Sequence, residues 1–142
     1  MTPAALVERL LTLLGRPRPY QGLRGVGQRW ERLAERRLKA EGYRIRERNF
    51  RARGGEIDFV AEQDGVLCFV EVKGRRGPRF GSPAEAVDEE KQRRLVLAAE
   101  QYLAARRAGR VPCRFDVVSI RDGGDGTVLE ILPGAFEAGP PR

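Results

Sequence analysis

The sequence predicts an α/β domain built on a mixed sheet of about five strands, with a central antiparallel hairpin flanked by helices. Two segments show the 3.6-residue apolar periodicity of helices, and five shorter runs are apolar or alternating as in strands. The dipeptide Asp64-Gly65 separates two of those runs and is a strong signal for a two-residue hairpin turn. The last two runs follow the second helix, so a crossover must add them to the sheet. The predicted order is α-β-β-β-α-β-β.

The first helix is predicted from Gly25 to Glu41. Its apolar residues recur every three or four positions and therefore share one face, and Gly42 follows in the position that favours glycine at a helix end. The sequence after it contains three runs with strand character, which are Tyr43–Phe50, Glu56–Glu62 and Val66–Lys73.

A second, longer helix is predicted after the Gly-rich basic loop Gly74–Pro83. Ser82 suits its N-cap, Pro83 its first position, and Glu85 could close a capping box. The helix should continue to Arg107. The two strands predicted to complete the sheet are Cys113–Ile120, which has buried character, and Thr127–Leu132 at an edge.

The chain divides into a main domain at 24–132, a preceding short helix and linker at 1–23, and a loose tail at 133–142. The amphipathic stretch Ala4–Leu14 is too short to span a bilayer, and no basic segment precedes it as in a signal peptide. We therefore expect no membrane partner and a cytoplasmic location.

Positive charge is concentrated before the central hairpin. Between Arg24 and Arg53 there are eleven Lys or Arg residues and four Glu. The net charge of this segment is therefore +7, the same as the net charge of the whole chain. Such clustering favours a nucleic-acid partner, because the planar Arg side chain suits bidentate phosphate contacts. A merely basic, solvated surface is the alternative.

The residue inventory restricts the chemistry. The chain has no histidine, which excludes Ser-His-Asp triads, Cys-His pairs, histidine zinc hydrolases and nucleases with a histidine base. Cys68 and Cys113 match no zinc or redox spacing, which predicts buried, reduced thiols. Any hydrolytic chemistry must therefore use carboxylates, lysine, hydroxyls or a hard metal ion.

The central hairpin places charged side chains inside an apolar frame. With a two-residue turn, the register puts Asp58 opposite Glu71. It also puts Glu56 opposite Lys73, so these four side chains share one end of one face. The other face is predicted to be apolar throughout and consists of Ile57, Phe59, Ala61, Cys68, Val70 and Val72.

Two carboxylates that face each other are destabilising unless they share a proton or a cation. Mg²⁺ or Mn²⁺ would suit the pair, because such ions take oxygen ligands, keep several waters and bind phosphates. Lys73, two residues after Glu71, could orient an attacking water and stabilise developing negative charge. Glu31, at the edge of the apolar stripe of the first helix, is a third carboxylate that could reach the sheet. A cross-strand ion-pair lattice of the hairpin residues is the alternative.

The hairpin motif resembles that of the PD-(D/E)xK nuclease superfamily, which has the restriction-endonuclease-like fold. More narrowly, the chain is similar to the YraN-like family, small proteins that resemble archaeal Holliday junction resolvases. The resemblance extends over Gly25–Ile131, and the sequences GEID and FVEVKxR at this spacing are its specific part. The matching residues are Glu31, Ala34, Gly42, Tyr43, Asn49, Gly55, Glu56, Ile57, Asp58, Phe69, Val70, Glu71, Val72, Lys73, Arg75, Gly81, Ala86, Val87, Lys91, Ala99, Tyr102, Leu103, Arg114, Phe115, Asp116 and Val117.

This resemblance implies a metal-dependent endonuclease, carried by the domain at 24–132, that hydrolyses DNA phosphodiester bonds. Branched or junction DNA is a candidate substrate. Lys73 would be the catalytic lysine, and the Mg²⁺ or Mn²⁺ ligands would be Glu31, Asp58, Glu71 and the backbone carbonyl of Val72. The alternative function is a nucleic-acid-binding module of the same fold that is catalytically weak or inactive.

Basic side chains near the hairpin are the predicted DNA contacts, namely Arg51, Arg53, Arg75, Arg76, Arg79 and Lys91. Lys91 lies on the apolar line of the second helix, so its side chain either extends into solvent or points toward the polar end of the sheet. A homodimer is a further prediction, because related resolvases work as dimers and Ala4–Leu14 offers an apolar face.

Four other residues are assigned structural roles. Trp30 is predicted in the core, and Glu35 in surface ion pairs. Asp116 lies in a buried strand and should pair with Arg114 or a lysine. Asn49 should cap or bridge a turn.

Overall fold

The computed structural model describes residues 26–76, 87–123 and 126–138. Within these residues, two helices and five strands follow the order α-β-β-β-α-β-β, so the predicted fold class is confirmed. The elements are α1 (Val26–Ala40), β1 (Arg44–Ala52), β2 (Gly55–Gln63), β3 (Val66–Arg76), α2 (Glu89–Ala105), β4 (Cys113–Gly123) and β5 (Gly126–Phe136). The predicted N-terminal helix and linker lie outside the described residues, as do Arg79, Ser82, Pro83 and Glu85.

The five strands form one sheet in the order β1-β2-β3-β4-β5. Neighbouring strands are antiparallel except for β3 and β4, which are parallel, so the sheet is mixed. Parallel neighbours need a long crossover connection, and α2 lies within it. The β2–β3 hairpin has the predicted register, from Gln63 opposite Val66 to Phe59 opposite Val70. Asp64 and Gly65 both have the positive φ that this tight turn requires.

Helix α1 ends in a Schellman motif at Gly42. Gly42 has a φ of 90°, Tyr43 N–H donates to the Leu38 carbonyl at 2.9 Å, and Gly42 N–H donates to the Lys39 carbonyl at 3.1 Å. The motif satisfies carbonyls that the helix end would leave unpaired, and it leads the chain directly into β1.

The helices cover opposite faces of the sheet and create two cores. The α1-side core consists of Ala34, Leu38, Tyr43, Ile45, Phe59, Ala61, Cys68, Val70, Val118 and Ile120. The α2-side core consists of Ile57, Val60, Leu67, Phe69, Val87, Leu95, Ala98, Ala99, Tyr102, Phe115 and Val117. Burial of each large apolar side chain contributes about 1.5–3 kcal/mol, so these two layers hold the sheet in place. Neither described helix is long and apolar enough to cross a bilayer.

One residue lies on the opposite face to that predicted. Ile57 belongs to the α2-side core, whereas Phe59, two positions later, belongs to the α1-side core. The paired segment of β1 behaves in the same way, because Arg48 pairs with Glu35 of α1 while Phe50 packs on Tyr102 of α2. We call this the face reversal, spanning residues 48–50 and 57–59. Simple alternation along a strand cannot predict the correct face for residues on both sides of the face reversal.

Helix α2 begins at Glu89, so its predicted start at Ser82 and Pro83 is wrong. Asp88 has extended backbone geometry, and its side chain accepts a hydrogen bond from Lys91 N–H at 2.8 Å. That bond makes Asp88 the N-cap, a role for which aspartate is among the best residues.

The last strand and one cysteine also differ from prediction. Strand β5 extends to Phe136, four residues beyond Leu132, and the Phe136 ring stacks on Phe115 with centroids 4.8 Å apart. That apolar contact keeps part of the predicted tail in the sheet. Both cysteines are free, but only Cys68 is buried, because Cys113 is exposed at the first position of β4.

Trp30 has the predicted core role, since it packs against the α1-side core. Its ring lies directly on the backbone of Gly74, where an added Cβ atom would be only 1.6 Å from Trp30 Cζ3. Only glycine therefore fits at this position of β3. Because Trp30 precedes Glu31 and Gly74 follows Lys73, the contact fixes the start of α1 against the polar end of β3.

Gly74→Ala is expected to lower the free energy of unfolding by about 1–3 kcal/mol, because the new methyl group must displace the indole. Urea denaturation of Gly74→Ala, Trp30→Leu and the double variant measures this. The double variant should lose less stability than the two single losses added together, since the smaller side chain makes room for the methyl group. Strict additivity would show that the contact does not restrict this position.

Candidate metal centre and nucleic-acid interface

Asp58 and Glu71 meet at the point where β2 and β3 separate. The ladder between the strands extends as far as Phe59 and Val70, one residue short of the predicted Asp58–Glu71 pair. Beyond it, the Val72 backbone N–H donates to Asp58 Oδ2 at 2.8 Å. The two carboxyl groups nevertheless interact, because Glu71 raises the pKa of Asp58. Where the ladder opens, the Val72 N–H therefore donates to the Asp58 carboxyl group instead of to a backbone carbonyl of β2. The predicted acidic pair stays together.

Withdrawal from water shapes the electrostatics of this pair. Glu71 is only 7% exposed. Burial raises the pKa of Asp58 well above its usual value, and the adjacent Glu71 raises it further. Burial also raises the pKa of Glu71, but the ammonium of Lys91 opposes that rise. Without a metal ion, Asp58 is therefore the carboxyl group of the pair that burial and its neighbour favour in the protonated form, whereas the Lys91 ammonium favours the ionised form of Glu71.

Lys91 points toward the polar end of the sheet, one of the two orientations that the sequence left open. Its Nζ lies 3.4 Å from Glu71 Oε1, and its side chain is 38% exposed. The backbone N–H of the same residue is held by the N-cap Asp88. The first turn of α2 therefore delivers a cation to the edge of the acidic pair.

A cavity of about 210 Å³ opens beside Glu71 and is large enough for several water molecules. Cationic and anionic groups alternate around it, so it is polar rather than apolar. Its lining residues are Glu71, Lys73, Val87, Asp88, Glu90, Lys91 and Arg94. The acidic pair therefore borders a space that small polar molecules can enter.

Lys73 lies exposed at the rim of this cavity, two residues beyond Glu71. Its positive charge lowers the pKa of Glu71, and its ladder partner in β4 is the buried Ser119. Sequence reasoning missed Ser119, because the register of the parallel β3–β4 pair depends on a crossover with no local signal. The β2–β3 ladder does not include the predicted pairing of Glu56 with Lys73, since the two strands have already separated there.

Glu31 is buried on α1, at 5% exposure, in line with Ala34 and Leu38 that face the sheet. No three acidic or thiol side chains in the described part of the chain converge on a point that could hold a metal ion. The structure therefore brings together two of the three predicted carboxylate ligands. A pair of carboxylates still fits Mg²⁺ or Mn²⁺, which bind through one or two carboxylates and complete their shell with water and phosphate oxygens. The roles of Glu31 and of the Val72 carbonyl as ligands stay predictions.

One of the predicted DNA contacts, Arg53, is held against α2. Arg51 and Arg53 are exposed at the end of β1 and in the turn that follows. The Arg53 backbone is held by Gln101, which accepts from its N–H at 2.9 Å and donates to its carbonyl at 2.7 Å. Arg75 and Arg76 end β3. The turn carrying Arg53 is thus fixed against the helix that begins at the cavity.

A second buried aspartate has a different environment. Asp116, fully buried in β4, accepts hydrogen bonds from the Arg114 side chain and the Tyr43 hydroxyl, both at 2.8 Å. It also accepts from Gly134 N–H at 2.9 Å. The predicted Arg114–Asp116 pair is confirmed. Glu35 forms the predicted ion pair with Lys39 of its own helix, and it also pairs with Arg48 of β1, which the sequence did not predict.

Comparison with known proteins shows that the chain is similar to members of one family. Residues 30–120 match the sequence model of the uncharacterised protein family UPF0102. A UPF0102 protein of Symbiobacterium thermophilum is 51% identical over 81% of this chain and 98% of its own length. A UPF0102 protein of Myxococcus xanthus is 44% identical over 82% and 92%, and one of Syntrophotalea carbinolica is 46% identical over 83% and 95%. The chain therefore belongs to the UPF0102 family, and the expected YraN-like family is confirmed.

Asp58→Asn is expected to raise the free energy of unfolding of the metal-free protein by about 1–2 kcal/mol at neutral pH. The amide keeps an oxygen acceptor for Val72 N–H and brings no charge into the gap. Because the folded pKa of Asp58 is raised, the wild type loses stability as the pH rises above about 4, where the unfolded chain releases its proton. The advantage of the variant should therefore disappear toward low pH in urea denaturation with EDTA.

Asp116→Asn is the matched control, because it places the same substitution at a buried aspartate that is already paired. It should lower stability by about 3–5 kcal/mol, since it leaves the Arg114 charge without its partner. Destabilisation of similar size in both variants would contradict the described electrostatics of the Asp58–Glu71 pair.

Proposed function

We propose that this member of the UPF0102 family is a divalent-metal-dependent endonuclease that hydrolyses DNA phosphodiester bonds, with branched or junction DNA among its candidate substrates. The observation that carries the proposal is the Asp58–Glu71 pair, in which Asp58 is partly buried and the buried Glu71 lines a polar cavity together with Lys73. Buried like charges are costly, and sites that retain them usually do so for function.

The chain's own residues have separable roles in this proposal. Asp58 and Glu71 would hold Mg²⁺ or Mn²⁺, and the Val72 N–H keeps the Asp58 carboxylate oriented toward that position. A bound divalent ion supplies Lewis acidity toward the phosphate and favours deprotonation of water. Lys73, at the cavity rim, would orient the attacking water and stabilise the negative charge that develops on the phosphate.

Basic groups around the cavity would bind the DNA backbone. Lys91 and Arg94 line the cavity itself, Arg53 extends the positive surface along α2, and Arg51 is exposed at the end of β1. These contacts would be sequence-independent, because they reach phosphates rather than base edges. Selectivity for a branched substrate would then come from DNA shape.

A catalytically weak or inactive DNA-binding module of the same fold is the second candidate. It is favoured by one observation, that no third carboxylate joins Asp58 and Glu71 among the described residues. Such a module would keep the basic surface and would not need the metal ion.

Wild-type protein is expected to bind Mn²⁺ in calorimetry and to cleave branched, flapped or linear DNA when Mn²⁺ is present. Lys73→Ala should keep Mn²⁺ binding but reduce cleavage by about 100-fold or more, because it removes a group that acts on the reacting phosphate. Glu71→Gln should lose both. Lys39→Ala is the matched control, since this exposed lysine lies at the end of α1, away from the cavity, and should change neither.

Failure of the wild type to bind Mn²⁺, or equal cleavage by wild type and Lys73→Ala, would remove the enzymatic proposal and leave the binding module.

DNA affinity is expected to fall steeply with salt for both candidate functions, with a slope of log affinity against log salt of about −0.9 per phosphate contact. Replacing both Arg51 and Arg53 with alanine should reduce that slope by about two, because two phosphate contacts are lost. Arg110→Ala is the control, since this exposed residue lies just before β4, at the other end of the sheet. Equal slopes for wild type and the double variant would exclude Arg51 and Arg53 as contacts.

A further inference from the structure

We propose that Asn49 is a positioning residue for the candidate metal centre, and that it acts through its left-handed backbone rather than through its side-chain amide. Its conformation produces the face reversal and so places the Asp58 carboxylate against the Val72 N–H. The consequence for metal binding rests on the proposed function, whereas the placement of Asp58 does not.

The first observation is that β1 changes face across Asn49. Arg48 pairs with Glu35 on α1, whereas the Phe50 ring packs on Tyr102 of α2 with centroids 5.1 Å apart. In a regular strand these two side chains, two positions apart, would point to the same side. The chain must therefore rotate at the residue between them, which is Asn49.

The second observation is that β2 changes face at the matching position. Phe59 and Ile57 are both fully buried, but in opposite cores. The β1–β2 ladder still pairs Arg48 with Phe59 and Phe50 with Ile57. Both strands therefore rotate together, and the residue of β2 at the centre of that rotation is Asp58.

The third observation is the backbone of Asn49. Its φ is 52°, and it is the only described non-glycine residue with positive φ that lies inside a strand. The other two, Asp64 and Arg107, lie in turns. Asparagine enters this region more readily than most residues, and a β-branched residue there would be strained. Positive φ within β1 is the local change that reverses its face.

The rotation explains why the β2–β3 ladder stops where it does. If the register continued past Phe59 and Val70, Ile57 would lie opposite Val72 and its carbonyl would accept the Val72 N–H. Ile57 instead turns into the α2-side core, and Asp58 Oδ2 takes the N–H at 2.8 Å. The hydrogen bond that orients the carboxylate therefore exists because the ladder is interrupted.

The amide nitrogen of the Asn49 side chain does not help to position Asp58 through a hydrogen bond. Its Nδ2 is buried and forms no hydrogen bond with any part of the chain that the structure describes. A residue kept for its amide would use this donor. The backbone conformation is therefore what the position requires, and glycine, which adopts positive φ freely, should replace asparagine there.

Amide hydrogen exchange at Val72, measured by NMR on the full metal-free chain, tests the proposal. Asn49→Gly should leave the exchange rate within about twofold of wild type. Asn49→Ala and Asn49→Val should accelerate it by roughly 5- to 30-fold, because both penalise the left-handed backbone. Asp58→Ala, which lacks the acceptor, gives the rate for complete loss of the hydrogen bond.

Two controls separate positioning from general destabilisation. The Val118 amide in the sheet should keep its protection in every Asn49 variant, since the proposed change is local. Asp64→Ala loses a residue with a similar φ, 51°, at the far end of the hairpin, and it should not alter exchange at Val72. Loss of protection in Asn49→Gly equal to that in Asn49→Val would overturn the proposal, as would unchanged protection in the alanine and valine variants. If the valine variant does not fold, the alanine variant decides.

Mn²⁺ calorimetry on the same variants tests the link to function. Affinity should follow Val72 protection, high in wild type and Asn49→Gly and reduced roughly 5- to 30-fold in Asn49→Ala. Correct Val72 protection with no Mn²⁺ binding even by wild type would support the positioning role and reject the metal centre. Full Mn²⁺ affinity in a variant that has lost Val72 protection would overturn the link between them.

Discussion

The cost of holding two carboxyl groups together away from water is the constraint on which the rest of this structure depends. Asp58 and Glu71 come from different strands, burial raises the pKa of both carboxyl groups, and Glu71 raises the pKa of Asp58 further. A protein under selection for stability alone would place apolar side chains there. The surrounding elements instead supply what the pair needs, namely a backbone donor from Val72 and a cation from Lys91.

The two helices position this pair from opposite faces of the sheet. Helix α2 brings Lys91 to Glu71 because Asp88 caps its first turn at the rim of the cavity. Helix α1 is held near the same end of β3 by the contact between Trp30 and Gly74. Both attachments use residues at the ends of their elements, so modest movements of either helix would change the site without unfolding the cores.

The elements and the acidic pair could be predicted from sequence because their signals are local. The periodicity of α1 and the dipeptide Asp64-Gly65 fix one helix and the hairpin register, and that register brings Asp58 close to Glu71. The face of Ile57 could not be predicted, because alternation carries no information about the positive φ of a residue on the neighbouring strand.

The start of α2 and the direction of the Lys91 side chain could not be predicted, because the first depends on competing N-cap residues and the second on contacts between distant parts of the chain. Ser82 and Asp88 are both good N-cap residues, and the sequence does not show which one the tertiary structure selects. Lys91 could have extended into solvent, and only the crossing of α2 over the sheet brings its side chain to Glu71.

The parallel pairing of β3 and β4 sets the order in which this site can assemble. The hairpin that carries both carboxyls closes over two residues, whereas Leu67 reaches its β4 partner Cys113 only after the whole crossover has folded back. Local pairings form early and distant ones late, because long loops are entropically costly to close. We therefore expect the folding chain to bring the acidic groups together before the crossover delivers Lys91, so that dissolved cations would meet the acidic pair without its internal counter-charge.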